Sequence, residues 1–214
     1  MTSTPSAPAT TATTAATGSA SPATATGSRA TTTAPAPPSS GPEGTAPALV
    51  TARITDRIGD ATPSLLDRPP AWADLAGATL TRSGSRYELR VRLGGGAAPQ
   101  RTDGDHTMNV ASFYDVDGDG NVDYEVWANV ADSGWSGSWF DDRDGVSRYG
   151  EDAGVTWTAE GDAIVMRFDA AHVGNAKSFR WSVASEWGRY ETLSSPTSSK
   201  DEVPDDDLPA TFGG

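Results

Sequence analysis

The chain has 214 residues, no cysteine and a formal net charge of −13 from 29 acids against 16 bases. The missing cysteines exclude disulfide frameworks, zinc–thiolate sites and thiol nucleophiles. The charge argues against nucleic acid and anionic membrane surfaces, both of which call for clustered Lys and Arg.

Residues 1–48 are almost wholly Thr, Ala, Ser, Pro and Gly, with Arg29 and Glu43 as the only charges. Apart from Met1 they hold no large apolar residue, so nothing there offsets the entropy of ordering the chain. A disordered linker or stalk is expected over 1–48. A β-sandwich domain is expected over 49–214, with its ordered core at roughly 49–206. Pro-studded Ser/Thr tracts suit extracellular stalks, so the expected location is extracellular or at the cell surface. Neither a signal peptide nor an apolar run of ~18 residues is visible, so export would rest on a leader upstream of Met1 and insertion into a membrane is not expected. An acidic, dispersed domain is expected to be monomeric.

From residue 49 onward apolar residues recur with period two, and no long helical pattern interrupts them. The candidate strands, in order, cover 49–54, 78–82, 87–93, 109–114, 122–130, 155–159, 163–168 and 179–184. The clearest is Tyr87–Leu93, whose apolar side chains at 87, 89, 91 and 93 alternate with charges. Gly/Asp-rich turns separate the strands, and Glu160-Gly161-Asp162 between two alternating runs predicts a hairpin. Residues 169–173 suit one helical turn. About eight strands without crossover helices predict an all-β antiparallel fold, a sandwich in preference to a barrel.

Between two of these strands lies Asp115-Val116-Asp117-Gly118-Asp119-Gly120-Asn121-Val122-Asp123. Acids at relative positions 1, 3, 5 and 9, with Gly at 6, curl a loop so that carboxylates converge. A hard cation wants about 6–8 oxygens. Asp115, Asp117, Asp119 and Asp123 would supply side-chain oxygen and Asn121 its main-chain carbonyl, which makes structural Ca2+ the expected cofactor. The spacing is similar to the calcium loops of EF-hands, dockerins and integrin-type propellers. Position 12, however, is Val126, and the loop feeds a strand instead of a helix, so a static site is expected and not a helix–loop–helix switch. The alternative is a solvated acidic hairpin, since Asp and Gly are ordinary turn formers. A second cation between the domain's ends is also open, if Asp56 or Asp60 meets Asp201.

Seven tryptophans all fall within 49–214. Trp157 and Trp181 share the apolar phase of their strands and are expected in the core. Trp127 shares its phase with Asp123, Glu125 and Asn129. Trp135 and Trp139, four apart around a Gly/Ser stretch, would face one side of an extended chain. Flat indoles beside polar groups suit a sugar ring, so Trp127, Trp135 and Trp139 are the candidate ligand residues. The alternative is that packing covers these rings.

Several motifs in order resemble the carbohydrate-binding-module-9-like and DOMON-like β-sandwich domains of exported bacterial proteins. They are Asp56…Gly59-Asp60, Pro70-Ala71-Trp72-Ala73-Asp74-Leu75, the Tyr87–Leu93 strand, the Asp-Gly-rich loop and Asp201-Glu202-Val203-Pro204-Asp205. The resemblance implies a module that binds sugars, haem or no known ligand. His106, His172 and three methionines offer few axial ligands, so haem is disfavoured. No G-x-S-x-G, HExxH or phosphate loop is present, and no carboxylate pair stands out. The expectation is a non-catalytic module that binds a polysaccharide or surface glycan. A protein partner is the alternative, and a glycoside-acting enzyme is the less favoured one.

Overall fold

The structure, a computed structural model, describes residues 49–62, 68–189, 198–204 and 209–213. The expected stalk at 1–48 lies outside the described residues. So do Asp205 and the rest of 205–208, where the resemblance's last motif ends.

The domain is an antiparallel β-sandwich. Among the described residues twelve strands form two sheets: β1 (Leu49–Thr55), β2 (Leu75–Ser83), β3 (Arg86–Leu93), β4 (His106–Asp115), β5 (Tyr124–Ala131), β6 (Gly134–Asp141), β7 (Val146–Tyr149), β8 (Thr156–Glu160), β9 (Ala163–Asp169), β10 (Phe179–Arg189), β11 (Ser199–Val203) and β12 (Ala210–Phe212). The smaller sheet runs β1-β2-β3-β9-β8. The larger runs β11-β10-β4-β5-β6-β7, with β12 beside β10 at Phe179–Trp181.

Period two writes this fold. Along β3 the burial alternates from Tyr87 to Leu93, and along β5 Tyr124, Val126, Ala128 and Val130 are buried while Glu125, Trp127 and Asn129 are only half-buried. The inward sets of both sheets meet in one core, with Leu80, Leu89 and Met166 facing Met108, Val110, Tyr114, Val126 and Trp181. Tyr87 stacks on Phe168 at 5.5 Å and meets Phe212 edge-on at 5.4 Å, joining the β12 end to that core.

The short elements follow their local chemistry. Gly161 at φ +63° turns the β8–β9 hairpin. Ala170–Val173 is a 3-10 turn that ends at Gly174 in the left-handed region. Four strands exceed the eight expected. They are Gly/Ser-rich β6, short β7, charged β11 and three-residue β12.

Candidate functional site

Asp115 closes β4 and Asp123 immediately precedes β5, so the β4–β5 pairing of Tyr114 with Tyr124 draws both ends of the acidic loop together. The Asp123 N–H donates to the Tyr114 carbonyl at 2.9 Å. The loop then folds over its own carboxylates. Asp115 accepts from the N–H groups of Gly118 (2.6 Å) and Gly120 (3.1 Å), and Asp123 accepts from Val116 N–H at 2.7 Å. Gly118 and Gly120 have φ +80° and +92°, which L side chains resist.

Asp115, Asp117 and Asp123 each bring an oxygen within 4.8 Å of the others. Asp119 stands outside this trio. It is exposed and accepts from Asn121 through N–H (2.7 Å) and Nδ2 (2.9 Å), which hold its carboxyl below the usual carboxylate range. The structure therefore gathers three of the five expected ligand residues and pairs the other two with each other. Two arginines flank the trio: Arg180 lies 3.8 Å from Asp115, and Arg143 lies 3.8 Å from Asp123 with its guanidinium over the Tyr124 ring. Oxygen-only donors suit calcium, and the same carboxylates also serve as backbone acceptors.

A second acidic group forms where the domain's ends meet. Asp56, Asp60 and Asp201 offer oxygens within 4.8 Å of one another. The Thr62–Lys200 bridge brings the segments together, and Asp74 holds the intervening turn by accepting from Gly59 N–H at 2.8 Å.

The three candidate tryptophans divide between two faces. Trp127 pairs with Ala111 and Ser138 on the outer face of the larger sheet. Its ring stands edge-on to Phe113 (6.3 Å) and Phe140 (5.9 Å), and its Nε1–H donates to Glu125 at 2.6 Å. Burial raises the Glu125 carboxyl above its ordinary range, and the nearby Asp142 carboxylate adds to this against the Trp127 hydrogen bond. Trp135 and Trp139 do share a side, but it is the inner one, because they pair with buried Val130 and Val126. Trp135 Nε1–H donates to the Pro99 carbonyl at 2.7 Å and Trp139 Nε1–H to the His172 carbonyl at 2.8 Å. These two form no common platform with Trp127. Trp181 lies in the core, 1% exposed, whereas Trp157 is half-buried against Trp135 at the sandwich's open edge.

A groove of about 420 Å³ runs along the outer face of the larger sheet. Its floor is small, with Ala111 and Ala184 paired across β4 and β10. Trp127 and Phe113 wall one side, and Glu186, Lys200 and Glu202 line the other. Phe113, Val122, Ser182 and Glu202 also line an adjoining hollow of about 370 Å³ that reaches Asp115 and Asn121. The groove thus runs into the acidic loop. Sequence reasoning did not anticipate its β10–β11 wall, because pairing of distant strands leaves no local signal. The chain has no match among protein-family models, curated proteins or solved structures.

Proposed function

We propose that the domain is a non-catalytic, extracellular carbohydrate-binding module that holds a polysaccharide or surface glycan in the Trp127 groove. In this reading calcium at Asp115, Asp117 and Asp123 stabilises the adjoining loop. The observation that supports it best is the groove itself, in which an indole, a floor of small residues and hydrogen-bonding walls lie on one sheet face. A sugar ring has apolar C–H faces and a polar rim, and such a surface meets both. Calcium would tie the Asp115 end of β4 to the Asp123 end of β5, fixing Val122 at the groove's margin. The sequence resemblance to sugar-binding sandwiches points the same way.

The test is a tryptophan-fluorescence titration of the full chain with neutral soluble polysaccharides, compared with Trp127→Ala. A saturable spectral shift in wild type that disappears in the variant is expected. A shift of equal size and affinity in the variant would remove Trp127 from the site, and no shift across the panel would defeat the carbohydrate reading. A protein partner is the second reading, favoured by edge strand β7, where Tyr149 is exposed beside Phe140 on the outer face.

A further inference from the structure

The smaller sheet has an outer face unlike the rest of this acidic molecule. Register sets its side chains in cross-strand rows. One row runs Arg53, Thr79, Arg90, Val165 and Thr158, and the next runs Thr55, Gly77, Arg92, Ala163 and Glu160. A third begins with Thr51 and Thr81, whose hydroxyls lie 3.3 Å apart, and continues through Glu88 and Arg167.

The three acids of this face are already engaged, Asp169 with Arg86 at 3.6 Å. Glu160 accepts from Arg90 at 2.8 Å, and Glu88 accepts from Arg167 at 2.8 Å. Among the described residues Arg53 has no carboxylate partner and Arg92 donates only to the Ala76 carbonyl, at 3.3 Å. Between the arginines lies a cleft of about 250 Å³, lined by Arg53, Thr55, Thr79, Arg90 and Arg92. It sits where β2 bulges between Leu75 and Gly77. Gly77 has φ +125°, and a Cβ there would meet the Ile54 carbonyl oxygen at 2.5 Å. No side chain therefore stands between Thr55 and Arg92 in their row.

We propose that this face is a second binding surface, which takes the carboxylates of an acidic polysaccharide in the Arg53–Arg90–Arg92 cleft. Guanidinium forks match carboxylates in two-point contact. The threonines alternating with them in the rows hydrogen-bond hydroxyls. A uronate chain offers that mixture, a carboxylate among several hydroxyls on each ring. Nucleic acid is the poorer occupant: duplex DNA carries about one charge per 1.7 Å, so a molecule of net charge −13 repels it more strongly than a chain with one carboxylate per sugar ring. The cleft is separate from the Trp127 groove and does not depend on it.

The experiment is calorimetric titration of the full chain with hexagalacturonate at about 0.15 M salt, where repulsion beyond about 8 Å is screened. Hexaglutamate supplies carboxylates without hydroxyls. Arg53→Gln combined with Arg92→Gln is compared with wild type and with Trp127→Ala, and a thermal melt checks that each variant folds. Binding of hexagalacturonate to wild type and to Trp127→Ala alike, weakened about tenfold or more in the double variant, is expected. No binding, or binding undiminished in the double variant, overturns the proposal. Loss in Trp127→Ala alone assigns the ligand to the other groove and overturns it too. Hexaglutamate binding as tightly as hexagalacturonate would make this a surface for acidic peptides, and the polysaccharide identity would fail.

Discussion

Trp127 and Trp181 lie on strands of the same sheet and face opposite ways, so truncating them tests what each face is for. Trp181 is 1% exposed among core aromatics, and Trp181→Ala should cost about 3–5 kcal/mol in denaturant unfolding. Trp127→Ala should cost under about 2 kcal/mol, because the ring lies outside the core and loses only Phe113, Phe140 and one hydrogen bond. The acidic loop allows a similar contrast. Asp117 belongs to the converging trio and Asp119 does not. Asp117→Ala should lower the melting temperature in calcium and leave it nearly unchanged in chelator, whereas Asp119→Ala should have the smaller calcium-dependent effect. Equal loss in both conditions for Asp117→Ala would mean that its carboxylate serves the turn alone.

At the scale of elements, Gly77 and Glu160 give the sharpest expectations. Gly77→Ala puts a methyl against the β1 backbone in a φ range that alanine resists, and should cost about 2 kcal/mol or more by chemical denaturation. Glu160 accepts from Arg90, Thr158 and Arg167, which hold its carboxyl below the ordinary value of 4.5. A depressed carboxyl stabilises the fold above its ordinary value, and that contribution is lost as pH falls through the folded one. Below pH 4.5 the Glu160→Gln variant should therefore lose less stability than wild type, measured as the shift of denaturation midpoint with pH. Strands with strong alternation, such as Tyr87–Leu93, were legible in the sequence because burial enforces their parity. Gly134–Asp141 was not, since Gly and Ser carry little strand signal. Parity also explains the tryptophans: spacing puts Trp135 and Trp139 on one side but cannot say which. The pairing with Val126 and Val130 decides that. The meeting of Asp56 and Asp60 with Asp201 was open in the sequence, because only the closure of the domain's ends could bring them together.

For the whole molecule, calcium offers the broadest test. If the loop binds with a Kd near 10 μM, about a hundredfold excess of free ion adds about 2.7 kcal/mol. For a domain of this size that is a rise of about 5–10 °C between chelator and calcium. No rise would reduce the loop to a hydrogen-bonded turn and leave the groove as the sole support for the function.

The two sheets pack back to back, so their outer faces look in opposite directions. A short oligosaccharide lying along Trp127 cannot reach Arg53 through a core about 10 Å thick. The two proposed sites therefore cannot clasp the same short ligand and gain avidity from it. Each has to recruit its own chain. With both proposed sites filled, the molecule would act as a rivet between a neutral glycan on one side and an acidic one on the other, and its signature in a mixture of the two polymers would be crosslinking.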